Sequence, residues 1–213
     1  MFQKLNSDKY DAIFYNIYKN SKLVELNLPG NNLSSVNPDL FGSAVTKLRS
    51  VNLCDTRISK SMLSNLLQKM CVDSNLLSLD LSHNRWYKSI SPHLFAEAMI
   101  GLTSINLKRN RVTEQQMSSL LSSMAGPRSK LRSINFSGVS SLARLEPESL
   151  ARAVLTVRSA VLYATKLTQY QLYHILMALG NFYTTSQTTH IIRSKFICKW
   201  EKDGRQMNKE MKK

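Results

Sequence analysis

Two rhythms of hydrophobic residues alternate along this chain. In residues 102–124, LTSINLKRNRVTEQQMSSLLSSM, Leu102, Ile105 and Leu107 follow the spacing LxxLxL, with Asn110 and Val112 after them. From Thr113 the apolar residues Met117, Leu120, Leu121 and Met124 switch to helical spacing. The stretch predicts a short strand, a tight bend at an asparagine and a returning helix, which is one turn of a coil.

The same unit recurs. The pattern LxxLxLxxN begins at Leu23, Leu48, Leu76, Leu102, Leu131 and Val157, with successive starts 25, 28, 26, 29 and 26 residues apart. The alternation comes from two kinds of unit. Starts at 23, 76 and 131 lead to proline-initiated helices over Pro38–Val45, Pro92–Met99 and Pro147–Val154. Proline suits the first helical position, where its missing N–H costs nothing. Starts at 48, 102 and 157 lead to thirteen-residue segments that align without a gap, Ile58–Met70, Val112–Met124 and Leu167–Leu179. Ser59, Thr113 and Thr168 stand where an N-cap belongs, and Gln116 and Gln171 complete capping boxes.

Over roughly residues 10–180 this pattern resembles the leucine-rich repeat family. Within it, the chain is similar to the long, helix-bearing subclass of ribonuclease inhibitor and of the arrays in cytoplasmic NOD-like receptors. The resemblance implies an α/β fold, a right-handed αβ solenoid or horseshoe of about six repeats. A parallel sheet would line the concave side and helices the convex side. It also implies a binding surface, without naming a partner. One departure stands out: after Phe136 the run Ser-Gly-Val-Ser-Ser-Leu carries an extra residue, so Ser140 falls where asparagine is expected and the bend is expected to distort.

Two domains are expected, a solenoid over residues 1–182 and a basic, partly disordered non-repeat tail over 183–213. Gly180 is a candidate stop for the last helix. Within the tail, His190–Trp200 could form a strand closing the open end, or the segment could be a read-through or splice-variant extension. At the other end Ile13, Phe14, Ile17 and Tyr18 form a helical stripe before the first strand. A capping helix would explain it, but the stripe resembles a repeat helix and favours a chain that begins inside a longer array.

Composition narrows the setting. No run approaches the roughly 20 apolar residues of a membrane span, and the N-terminal residues lack the apolar core of a signal peptide. Three scattered cysteines, Cys54, Cys71 and Cys198, suit neither a disulfide framework nor a zinc site. These features predict a cytoplasmic protein, with the nucleus also open.

Within each coil, positions one, four and six should point inward and the strand residues between them outward. The outward columns are uniform: Glu25, Ser50, Ser78, Ser104, Ser133 and Ser159, then Asn27, Asn52, Asp80, Asn106, Asn135 and Val161. They predict a polar floor without a built pocket. Asn31, Thr56, Asn84, Asn110 and Thr165 are expected as buried bend residues that satisfy backbone groups on the curve. Just beyond them Arg57, Arg85, Arg111 and Lys166 fall in register, with Lys108, Arg109 and Trp86 close by. They predict a basic stripe along one rim, which is either a solvated edge or a docking face for an acidic protein.

Nothing points to catalysis. There is no Gly-x-Ser-x-Gly and no phosphate-binding glycine loop. The four histidines show no ligand spacing, and Cys54 beside Asp55 is a poor nucleophile. No catalytic residue, metal ligand or cofactor is expected. Three functional readings follow: a protein-binding scaffold of an intracellular sensor or regulator; a regulator of a small GTPase, since Ran GTPase-activating proteins use a similar repeat; and nucleic-acid binding. The last is suggested by a net charge of +15 but lacks interleaved aromatics and a recognised module. The first is preferred.

Overall fold

A computed structural model describes residues 7–20, 22–84 and 87–185. Six three-residue strands form one parallel sheet in chain order: β1 (Glu25–Asn27), β2 (Ser50–Asn52), β3 (Ser78–Asp80), β4 (Ser104–Asn106), β5 (Ser133–Asn135) and β6 (Ser159–Val161). Glu25 pairs with Ser50, Ser50 with Ser78, and so on to Ser159, so sheet register and repeat alignment coincide without a slip. The strands alternate with α1 (Ser7–Asn20), α2 (Pro38–Val45), α3 (Lys60–Val72), α4 (Pro92–Ile100), α5 (Glu114–Met124), α6 (Pro147–Leu155) and α7 (Gln169–Thr185). The result is the expected open αβ solenoid.

The LxxLxL spacing builds the core. Leu48, Val51 and Leu53 are buried, as are Leu102, Ile105 and Leu107, and Leu131, Ile134 and Phe136. Each fully buried side chain of this kind contributes about 1.5–3 kcal/mol, provided a neighbouring coil covers it. The first coil departs from the expected inward column. Leu23 is 44% exposed and Leu26 and Leu28 are only half-buried, because β1 is an edge strand of the sheet.

The helix starts follow the sequence signals. Ser59 accepts the Met62 N–H at 3.2 Å. Thr113 and Gln116 close a reciprocal capping box, as do Thr168 and Gln171. Both glutamines do more than cap. The Gln116 Nε2 donates to the Ile90 carbonyl at 2.8 Å, and the Gln171 Nε2 donates to those of Leu142 and Leu145 at 2.9 and 2.7 Å. Each therefore ties its helix to the preceding coil. In the earlier coil the aligned residue is Met62, fully buried, and packing replaces the polar lock. Helices pack most closely in the pairs α2–α3, α4–α5 and α6–α7, which explains why the repeat has a two-coil period.

Gly180 does not end the last helix: α7 runs through it to Thr185. A single glycine costs a helix about 0.5–1 kcal/mol relative to alanine, too little to stop one already growing. The tail beyond Thr185, including His190–Trp200, lies outside the described residues. At the other end α1 packs as a repeat helix would. Tyr10, Phe14 and Ile17 are buried, Ile13 is partly buried, and Phe14 meets Phe41 edge-to-face at 5.2 Å. Tyr18, expected in the same stripe, is 40% exposed.

Candidate functional site

The rim of the solenoid is shaped by one repeated backbone device. The eighth residue of every coil takes a left-handed conformation: Gly30, Asp55, His83, Arg109, Gly138 and Ala164, with φ between 52° and 73°. For a residue with a Cβ this costs about 1–2 kcal/mol. The geometry is held by a ladder in which each such N–H donates to the next coil, from Gly30 to Cys54, Asp55 to Ser82, His83 to Lys108, Arg109 to Ser137 and Gly138 to Tyr163, at 2.7–3.0 Å. Only the two glycines could have been read from sequence, since aspartate, histidine, arginine and alanine carry no such requirement.

The ninth residue sits inside the bend. Thr56, Asn84, Asn110 and Thr165 are buried, as expected. The Asn84 Nδ2 donates to the carbonyls of Leu53 and Leu81 at 2.8 and 2.9 Å, and the Asn110 Nδ2 to Leu81 at 2.9 Å. The threonine hydroxyls donate to Leu53 and Leu162 in the same way. Asn31 differs from expectation: it is half-buried, and its Oδ1 accepts from the Tyr10 hydroxyl at 2.7 Å. The fifth coil also corrects the sequence reading. Val139, not Ser140, fills its ninth position, fully buried, with its N–H on the Phe136 carbonyl at 2.9 Å. The bend keeps register, and the extra residue is taken up later in the 3-10 turn Ser140–Arg144.

The polar column on the open face of the sheet is occupied by its own turns. Asn52, Asp80, Asn106 and Asn135 each accept, through Oδ1, the N–H two residues ahead, at 2.8–3.0 Å. The Asn106 Nδ2 also donates to Asp80 at 2.8 Å. These side chains shape strand ends. That role was missed in the sequence, although asparagine or aspartate two residues before a turn is its signal.

The basic rim residues lie just past this bend. Arg57, Arg109, Arg111 and Lys166 are exposed and Lys108 is half-buried. None of the five has a carboxylate within ion-pair distance among the described residues, unlike Arg128, which pairs with Glu97. Arg85 and Trp86 lie outside the described residues. The stripe is less uniform than its register suggests. After threonine, Arg57 and Lys166 take positive φ, 51° and 59°, whereas Arg111, after asparagine, does not. Ser140 interrupts the cations in the fifth coil.

Between the fourth and fifth coils the rim opens into a groove of about 800 Å³. Arg109 and Arg111 line it together with Lys88 and Arg144, two cations the sequence reading missed. Arg144 ends the 3-10 turn that absorbs the extra residue, so repeat spacing could not have located it. Gly138 shapes the wall. A Cβ there would stand 3.1 Å from the Arg109 Cγ, so the bare backbone lets the arginine stem lie across the neighbouring turn. Glu114 is the one carboxylate lining the groove.

Other reactive groups are dispersed. His174 stands 3.4 Å from Glu148, with the rings of Tyr170 and Tyr173 at 4.5 and 5.9 Å. Burial pushes the Cys71 thiol above its ordinary value, opposed by the nearby Arg128. Among the described residues no group of three or more His, Cys, Asp or Glu is placed to hold a metal ion. No helix among them is long and apolar enough to cross a membrane.

No curated protein matches the chain. The family model for the Leucine Rich Repeat matches residues 22–44, which span β1 and most of α2. Five further coils carry the strand, left-handed turn and returning helix of that segment in continuous register. Residues 22–44 are thus similar to the Leucine Rich Repeat, and the chain repeats the geometry of that segment as an open αβ solenoid.

Proposed function

We propose that this chain is a non-catalytic protein–protein interaction module, the scaffold of a cytoplasmic sensor or regulator that docks an acidic protein partner along its basic rim. The finer kinship we infer is with the ribonuclease-inhibitor-like subclass and the arrays of NOD-like receptors. One observation carries the reading: Arg57, Lys108, Arg109, Arg111 and Lys166 stand along one edge with no carboxylate in reach among the described residues. Like charges held together repel mildly, by about 1 kcal/mol per exposed pair or less. An acidic partner relieves that repulsion and is steered in by the field. The asparagine and aspartate column of the floor supports the same choice, because Asn52, Asp80, Asn106 and Asn135 are engaged in their own turns. Arg85 and Trp86 belong to this rim by sequence position. The test is to change Arg57, Arg85 and Arg111 together to glutamate, then measure melting temperature and capture of proteins from cytosolic extract. Stability is expected to hold or rise slightly while capture falls; unchanged capture would reduce the rim to a solvated edge.

A further inference from the structure

The groove between the fourth and fifth coils gathers four cations. Lys88, Arg109, Arg111 and Arg144 reach it from three separate segments of chain, against the single carboxylate of Glu114. None of the four cations has an ion-pair partner among the described residues. Their convergence has structural causes. Arg109 is held by its left-handed backbone, by its N–H bond to Ser137 at 2.7 Å and by the Cβ-free wall of Gly138. Arg144 is delivered by the extra residues of the fifth coil, which coil up as Ser140–Arg144. Ser141, also lining the groove, has a buried hydroxyl with no hydrogen-bond partner.

We infer that this groove receives a phosphorylated serine or threonine in a segment of the acidic partner. The inference deepens the docking reading and rests on it. Three guanidinium groups and an ammonium exceed what one carboxylate side chain neutralises, whereas a phosphoryl group brings close to two charges and three acceptor oxygens. Arginine forks match those oxygens two at a time. The charge is also local. Toward the helices the groove gives way to a cleft of about 390 Å³ lined by Glu114 and Glu146 as well as Arg144. On the sheet side lie Asn106 and Asn135, both committed to their own turns. A long polyanion such as RNA needs a continuing basic track, and Ser140, in the groove itself, breaks the row of rim cations between Arg111 and Lys166. One phosphate flanked by a peptide fits these limits.

The test uses the whole chain and immobilised degenerate peptides with a fixed central phosphothreonine or phosphoserine. Their unphosphorylated twins, an Asp/Glu-rich set without phosphate and an oligouridylate serve as comparisons. Retention on the phosphorylated set is expected to exceed its twin by about tenfold or more. Arg109→Asn, Arg111→Gln and Arg144→Gln together should abolish the excess, with asparagine chosen because it tolerates the left-handed backbone. Arg152→Gln, on the exposed face of α6, should leave the excess intact, and circular dichroism should match across variants. Equal retention on the phosphorylated and Asp/Glu-rich sets would overturn the phosphate inference and leave acidic docking standing. Retention on none of the peptide sets would remove both. Tighter binding of oligouridylate than of phosphopeptide would overturn the inference in favour of RNA, and so would a phosphopeptide excess that survives the triple variant.

Discussion

Asn110 and Asn84 join two coils at the bend: the Asn110 Oδ1 accepts the Asn84 N–H at 2.8 Å. Asn84 passes the connection on through its Nδ2, which reaches the carbonyls of Leu53 and Leu81. Both side chains are nearly water-free, at 3% and 4% exposure. The bend is thus a buried polar seam whose partners belong to different coils.

This seam makes a stability prediction. Asn110→Ala leaves the Asn84 N–H without its acceptor in the interior and removes one of the bonds to the Leu81 carbonyl, and should cost about 2 kcal/mol. Asn110→Thr should cost less, because Thr56 and Thr165 already fill the same position with one hydroxyl bond each. Urea denaturation of the three proteins measures the difference. Equal stabilities would mean that the bend is held by the backbone ladder alone.

Gln116 should behave as a lock between α5 and the preceding coil. Replacing it with methionine, the residue at the aligned position 62, keeps volume but strips the Thr113 N–H and the Ile90 carbonyl of partners. A loss of about 1–3 kcal/mol is expected. Hydrogen exchange should report it at the first turn of α5. A neutral Gln116→Met would show that packing suffices there, as it does around Met62.

The left-handed positions give a paired test. Gly138→Ala puts a Cβ on a residue with φ of 73° and within 3.1 Å of Arg109, and should cost about 1–2 kcal/mol. Ala164→Gly relieves the same strain at φ of 54° and should be neutral or stabilising by up to about 1 kcal/mol. Thermal melts of the two variants should move in opposite directions, or the second not at all. A clear loss from Ala164→Gly would refute the strain argument.

Cys71 carries a chemical prediction. Its thiol is pushed up by burial and pulled back by Arg128, and only the thiolate is alkylated. With Cys54 and Cys198 changed to serine, alkylation near neutral pH should be slower than for a free thiol. Removing the Arg128 charge should slow it further. Faster alkylation in Arg128→Ala would mean that the arginine shields the sulfur instead.

The fold was legible because a solenoid repeats its evidence. The inward positions, the proline-led helices and the thirteen-residue segments all recur at fixed offsets, so each coil checks the last. Residues whose roles depend on one coil meeting another were harder to read. Gln116 looks like a helix cap from its local spacing, and its bond to Ile90 exists only in three dimensions. Arg109 and Ala164 give no hint of a left-handed backbone, because the ladder imposes it. At the rim, Arg111 and Arg57 share a register but leave the bend differently, since asparagine and threonine shape it differently. Arg144 escaped notice because an inserted residue carries it out of phase.

In the proposed mode of docking, partners meet the basic rim and not the polar floor. A photo-crosslinking residue placed in turn at Arg111 on the rim, Ser104 on the sheet and Ser122 on the helical face tests this most directly. After illumination in cytosolic extract, adducts are expected from the Arg111 position and few from the other two. Raising the salt should weaken those adducts, because exposed charges are screened beyond a Debye length of about 8–10 Å. Adducts concentrated at Ser104 and insensitive to salt would contradict the claim and move the binding face to the floor.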